Sequence, residues 1–162
     1  MVLSFQKVGW FKMKLSTRGE YGLRAMFELA MHYGGGPIPL KLIAEKQSIS
    51  EPYLEQLLAS LRRAGLVEST RGAQGGYNLA KSPEKTCVGD IIRTLEGSLG
   101  PMDCVNEENQ DNACVRAGGC ATKMVWEKVR DSVTQVLDSI TLADMCAEVK
   151  KEGLVENKRL GT

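Results

Sequence analysis

ISEPYLEQLLASLRRAGLVESTRGAQGGYNLA, residues 49–80, holds two periodicities in succession. Over its first half Leu54, Leu57, Leu58 and Leu61 recur at intervals of three and four, the stripe of an amphipathic helix. Ser50 is placed to cap that helix, Glu51 and Pro52 lie in its first turn, and Gly65 ends it. Over the second half, Val67–Thr70 and Tyr77–Leu79 read as two strands joined by the glycine-rich turn Arg71-Gly72-Ala73-Gln74-Gly75-Gly76.

Helix pairs followed by hairpins are common supersecondary pieces, so the residues upstream matter. PIPLKLIAEKQSIS, residues 37–50, predicts a short helix carrying Leu40, Ile43 and Ala44 that halts near Gln47, with Ser48 and Ile49 as a tight connection. A short helix, a tight turn and a longer helix with a polar outer face is the helix-turn-helix layout, and the hairpin after it is a wing. The longer helix then enters the major groove of DNA, while Arg71 beside Gly72 can bring a guanidinium to a phosphate or into a narrow minor groove. Side chains expected to leave the recognition helix toward DNA are Glu51, Tyr53, Glu55, Gln56 and Ser60. Gln56 suits an adenine edge. Glu55 can accept from a cytosine amine and repels phosphate without that partner. The plainer reading of Glu55 is a solvated carboxylate on an exposed face.

The flanking segments extend this unit. LSTRGEYGLRAMFELAMHYGGG, residues 15–36, predicts a first helix with Tyr21, Leu23, Met26, Phe27, Ala30 and Met31 at helical spacing, a Thr17–Glu20 capping box, and Gly34–Gly36 as the stop. Beyond the wing, Thr86 or Cys87 caps a helix with Ile91, Ile92 and Leu95 that ends at Gly97. Further on, Trp126, Val129, Val133, Val136 and Ile140 form a heptad-like seam that Val125 and Leu137 widen. This helix of about 18 residues, roughly 27 Å long, suits pairing with its twin across a two-fold axis. The competing reading packs the same stripe on the chain's own N-terminal unit. Thr141 with Asp144 restarts a final helix that ends at Gly153. The chain thus divides into an N-terminal extension (1–12), a winged helix-turn-helix domain (13–82), a connecting helix (83–97), a cysteine-bearing loop (98–120), dimerisation helices (121–153) and a loose tail (154–162). The fold class is mostly α with a small β wing.

Composition bounds the rest. With 162 residues, 43% hydrophobic and 25% charged, the chain can bury one core plus an extension and is too apolar to be disordered. No apolar run has the length of a signal peptide or a membrane span, so a cytoplasmic protein is expected. Five cysteines, an odd count in a reducing compartment, argue against a disulfide framework. The net charge of +1 hides an asymmetry: nine Lys/Arg face six Glu between Met13 and Lys81, which suits a nucleic-acid partner. No arrangement points to catalysis: there is one histidine, no nucleophile elbow and no phosphate-binding loop.

CVNEENQDNACVRAGGC, residues 104–120, places three cysteines on a glycine-rich stretch that has little to hold it in a core. Thiolate sulfur is the soft donor that iron in sulfide clusters prefers, and Cys104, Cys114 and Cys120 can converge where little packing holds them apart. Zinc also takes three thiolates, but the paired Cys-x-x-Cys knuckles usual in its structural sites are absent. Asp103, Glu107, Glu108 and Asp111 face only Arg116, so the loop is acidic. Cys87 and Cys146 lie on apolar helical faces and read as small core residues.

MKLSTRGEYGLRAM, ISEPYLEQLLASLRRAGLVESTRGAQGGYNLA, VGDIIRTLEG and the Trp126 helix running into SITLADM resemble the IscR-type winged-helix iron-sulfur cluster regulators from Met13 to about Glu148. The resemblance implies a homodimeric transcription factor on a double-stranded DNA operator, controlling cluster-assembly genes, with a 2Fe-2S cluster on Cys104, Cys114 and Cys120. Cluster-assembly proteins are further partners it suggests. It also implies that Glu55 discriminates between operator classes, that Gln56 contacts bases and that Arg71 probes the minor groove. The chain departs from the pattern in two places. The first cysteine interval is longer, with nine intervening residues, and the position of the family's fourth ligand, a histidine three residues past the last cysteine, holds Lys123. Lysine does not replace it, and the one histidine, His32, reads as an ordinary helix-end residue. Relatives that sense nitric oxide or redox state take an acidic ligand from helix one of the opposite subunit, and Glu20 stands at the matching position. Glu20 therefore has two readings, cap and ligand, and loop acids or water are further donors. Two other functions stay open: a cluster-free regulator like the cysteine-metabolism repressors, and a small electron-transfer protein in which the wing and Arg71 have no role.

Overall fold

The computed structural model describes residues 16–106 and 119–159, the side chains of Asp103 and of residues 152–159 excepted. Its elements are α1 (Thr17–Met31), α2 (Leu40–Gln47), α3 (Glu51–Arg63), β1 (Val67–Thr70), β2 (Gly76–Leu79), α4 (Val88–Glu96), α5 (Lys123–Ser139) and α6 (Leu142–Arg159), with short 3-10 turns at Pro83–Lys85 and Asp103–Val105. A winged helix-turn-helix, mostly α with a two-stranded wing, is the fold.

The start of α1 differs from the expected capping box. Its N-cap is Ser16, whose Oγ accepts from the Arg18 N–H at 3.1 Å. The Ser16 hydroxyl in turn donates to Glu96 at the far end of α4, and the same carboxylate oxygen accepts the Gly19 N–H at 2.7 Å. A carboxylate from a distant helix thus occupies the positive end of the α1 dipole, where the orphan N–H groups need an acceptor. Glycine makes the approach possible: a Cβ at Gly19 would lie 2.6 Å from Glu96 Oε1, and one at Gly22 would lie 2.0 Å from Leu95 Cδ1. Glu20 is left out of the cap, exposed, with Arg24 Nη1 3.8 Å from its carboxylate. Replacing Glu96 by Gln keeps the shape and removes the charge; urea denaturation should register a loss of about 1 kcal/mol.

Leu54, Leu57, Leu58 and Leu61 of α3 are all buried against Ala25, Met26, Leu29, Ile43 and Ala44. The face of α1 is rotated from the one expected: Ala25 and Leu29 are inside and Met31 is exposed, because α1 packs on α4 and α6 as well as on α2 and α3. Glu28 is also buried, its carboxylate held by Lys46 Nζ and by Gln47 Nε2 at 3.2 Å. Arg24 fixes the same corner, donating to Gln47 Oε1 at 3.0 Å and to its carbonyl at 3.1 Å. His32 is the C-cap of α1, its Nδ1 donating to the Glu28 carbonyl at 3.1 Å. Between α2 and α3, Ser48 adopts the left-handed conformation (φ 54°) and buried Ile49 donates to the Ala44 carbonyl at 3.0 Å. That turn fixes the angle between the two helices.

Downstream, Cys87 is the N-cap of α4 and Gly97 its C-cap. Thr141 and Asp144 form the expected reciprocal cap of α6: Asp144 Oδ2 accepts from the Thr141 N–H at 2.9 Å and from its hydroxyl at 2.7 Å, and Thr141 Oγ1 accepts from the Asp144 N–H at 3.1 Å. Leu142 and Cys146 of α6 are buried in the α1–α3 core, so its first turns pack on that core. The helix also runs past Gly153, where the sequence places its stop. By contrast α5, which lies against α4 and the 103–105 turn, buries none of its residues, and Val136 is 57% exposed. Packing on the chain's own N-terminal unit therefore covers only part of the stripe. No helix among the described residues is long and apolar enough to cross a membrane.

Candidate nucleic-acid interface and cysteine loop

Four buried leucines turn the opposite face of α3 outward, and on it Glu51, Glu55 and Gln56 are exposed. Ser50 is the N-cap but makes no side-chain cap bond. Tyr53 is half-buried, its ring edge-on to Tyr21 with centroids 6.2 Å apart, and Arg24 stacks on Tyr21 at 5.5 Å. Ser60 is half-buried as well: its hydroxyl donates to the Gln56 carbonyl at 3.2 Å and accepts from Arg18 Nη2 at 3.4 Å and Arg63 Nη2 at 3.3 Å.

The wing is antiparallel, with Val67 opposite Leu79 and Thr70 opposite Gly76. Val67 and Leu79 anchor its base in the core, and Arg71 and Gly72 are exposed at its tip, with Gly72 at φ 114°. Ile38 adds a bridge to the second strand, its N–H donating to the Tyr77 carbonyl at 3.0 Å and its carbonyl accepting from the Tyr77 N–H at 2.9 Å. Arg62 Nη1 donates to Ser69 Oγ at 2.8 Å, tying the end of α3 to β1. The fold thus sets the recognition helix and the arginine-bearing tip in one rigid unit.

The cysteine loop leaves α4 and returns at α5. Cys104 is half-buried in the 103–105 turn, followed by buried Val105, whose carbonyl accepts from Arg130 Nη1 at 2.8 Å. Cys120 is half-buried just before α5, its Sγ 3.0 Å from Thr122 Oγ1. The Thr122 hydroxyl, then the Lys123 and Thr122 backbone N–H groups, hold the Cys120 thiol below its ordinary pKa, as expected at a helix N-terminus. Burial pushes Cys87 and Cys146 the other way. Lys123, at the expected histidine position, pairs with Glu127 at 3.7 Å. Cys114 lies outside the described residues, as do Glu107, Glu108 and Asp111 and the 1–12 extension. Among the described residues, no three His, Cys, Asp or Glu side chains form a metal-binding group.

A family model described as Rrf2, iron-dependent transcriptional regulator, matches residues 15–148. The chain belongs to the Rrf2 family. It is therefore a DNA-binding transcriptional regulator, and the small electron carrier falls away. Among Rrf2 relatives, the HTH-type transcriptional regulator CymR of Bacillus subtilis is 47% identical over 135 residues, 83% of this chain and 91% of that protein. A solved structure described as T. potens IscR is 55% identical with a TM-score of 0.70, covering 86% of this chain and 90% of its own. Another, of CymR, the global cysteine regulator of B. subtilis, is 45% identical with a TM-score of 0.71, covering 83% and 97%. The likeness drawn from the sequence to IscR-type regulators holds at the level of Rrf2, whose members here include both kinds.

Sequence reading missed the contacts that Arg18, Arg62, Arg63 and Arg130 make in this Rrf2 chain. The first three were counted in the basic half, but their convergence depends on α1 crossing the end of α3, which no spacing encodes. Glu96, too, was an unremarked residue before a glycine.

Proposed function

We propose that the chain is a cytoplasmic homodimeric regulator that binds a double-stranded operator through α3 and the wing and senses iron-sulfur cluster status for control of cluster-assembly genes. In this reading Cys104, Cys114 and Cys120 hold a 2Fe-2S cluster and Glu20 of the partner subunit supplies the fourth donor, with cluster-assembly proteins as the source. The observation that carries it is the placement of the cysteines: Cys104 and Cys120 stand half-buried at the two described ends of the loop, where the Thr122 hydroxyl and backbone N–H groups lower the Cys120 pKa, whereas burial raises those of Cys87 and Cys146. Soft sulfur donors suit an iron-sulfur centre, the acidity of the loop makes that binding loose, and Glu20 is not occupied by capping. When bound, the cluster supplies a centre whose integrity depends on oxidants, nitric oxide and iron supply.

The chain's own part is to make loop order felt at the DNA-reading unit. Arg130 joins the loop's first turn to α5 through the Val105 carbonyl. Arg93 Nη1 joins α4 to α5 through Asp138 at 2.7 Å, and Glu96 joins α4 to the start of α1. Each is a contact that a change in loop order can bias. Exposed Glu55 and Gln56 then read bases, Glu51, Tyr53 and Ser60 frame them, and Arg71 with Gly72 reaches the minor groove.

Anaerobic purification with iron and sulfide should give a brown protein whose visible absorption is lost in Cys104→Ala, Cys114→Ala or Cys120→Ala and altered in Glu20→Ala. Operator preference should change with the colour. Pale, iron-free material after reconstitution removes the sensing claim. A second reading, a cluster-free regulator of cysteine and sulfur metabolism, draws on Lys123 in its ion pair with Glu127 and on the 47% identity to CymR. Colourless protein with stoichiometric zinc, or none, and DNA binding indifferent to iron would favour it.

A further inference from the structure

A cavity of about 500 Å³ opens beside the recognition helix, with Arg18, Tyr53, Gln56, Ser60, Arg62 and Arg63 among its walls and no carboxylate among the described residues that line it. Arg18 comes from the first turn of α1 and Arg63 from the last turn of α3, yet both donate to the one Ser60 hydroxyl, at 3.4 and 3.3 Å. The Ser60 proton is committed to the Gln56 carbonyl, so the hydroxyl acts toward the two guanidiniums as an acceptor. Among the described residues neither Arg18 nor Arg63 makes an ion pair.

Two like charges gathered on one neutral oxygen repel each other, and an anion that both can reach turns that repulsion into attraction. Each guanidinium carries five donors in a planar fork, a match for phosphate oxygens, and one neutral hydroxyl leaves most of them free. The cavity adjoins Gln56, which is exposed on the face read against DNA. We infer that Arg18 and Arg63, gathered by Ser60, clamp a backbone phosphate of the DNA duplex. The clamp rests on the DNA-binding reading and adds to it a contact that positions α3 without reading sequence. It recasts Ser60 as the residue that sets the arginine pair, not as a base reader.

The test is a salt titration of the full chain on two unrelated mixed-sequence duplexes, read by fluorescence anisotropy. For Arg18→Gln with Arg63→Gln, binding should weaken at least roughly tenfold at about 0.1 M salt, equally on both duplexes, and the slope of log affinity against log salt should become shallower by about 1.8, about 0.9 for the clamp of each protomer. The Arg18→Lys, Arg63→Lys pair should keep most of the slope. Both side chains are exposed, and matching circular dichroism melts verify that the variants fold. An unchanged slope, or weakening on one sequence alone, overturns the clamp while leaving DNA binding intact. Absence of binding by the wild-type chain, to these duplexes and to a selected operator, overturns the DNA-binding reading and the clamp with it.

Discussion

Replacing Gly76 by alanine is expected to destabilise the fold by about 3 kcal/mol, seen as a drop of roughly 10 °C in melting temperature. The reason is steric. A Cβ at Gly76 would lie 2.2 Å from the Ile38 carbonyl oxygen, 2.4 Å from its carbon and 2.8 Å from the Pro39 nitrogen. All three are backbone atoms that cannot rotate aside, and they belong to the segment that bridges Tyr77. The methyl group therefore separates the wing from the entry to α2, breaking two hydrogen bonds of 2.9 and 3.0 Å. Gly72 is the control. A Cβ there meets nothing within 4 Å, and its φ of 114° alone makes substitution unfavourable. Gly72→Ala should cost only about 1 kcal/mol and leave the base of the wing in place. Equal losses at the two positions would show that backbone conformation, not the close approach of Ile38, explains both.

That contrast marks where sequence stops being informative. The helix-turn-helix and wing were legible because each rests on local periodicity: leucines of α3 at three-and-four spacing, and two short strands around a glycine turn. The Thr141–Asp144 cap and the Gly97 stop were legible for the same reason, since cap partners lie within one turn. What escaped reading depends on distant chain. Thr17 and Glu20 satisfy a capping pattern, yet Glu96 from α4 takes the α1 N-terminus, 77 residues from Gly19. Met31 fits the apolar spacing of α1, but the helices packed on α1 set which face is inside, and it is left 40% exposed. Nothing in the local pattern marks Glu28 as buried, since Lys46 and Gln47, which hold its carboxylate, come from α2. For the cysteines, sequence gives donor type and order along one loop, whereas the lowered pKa of Cys120 comes from the Thr122 hydroxyl and the N-terminus of α5.

Val136→Glu is expected to leave each protomer folded and to dissociate the dimer, raising its dissociation constant roughly 100-fold or more. Val136 is 57% exposed in the single chain and α5 buries no residue of its own, so a carboxylate there has little to disturb within the protomer. In the expected pairing of α5 with its twin across a two-fold axis the same position repeats, and the substitution would set two carboxylates into one apolar seam. The consequence reaches the DNA. Two linked half-site readers gain an effective concentration that raises overall affinity roughly 10²–10⁴-fold over one reader, and dissociation forfeits that gain without touching α3 or the wing. Sedimentation of the variant should give a monomer with wild-type circular dichroism, and operator binding should fall by at least about 100-fold while half-site preference persists. A dimer of unchanged stability would place the two-fold seam on another face, and the exposed stripe of α5 would then need another occupant. A variant that unfolds would instead mean that α5 contributes to the protomer core, against its lack of any buried residue.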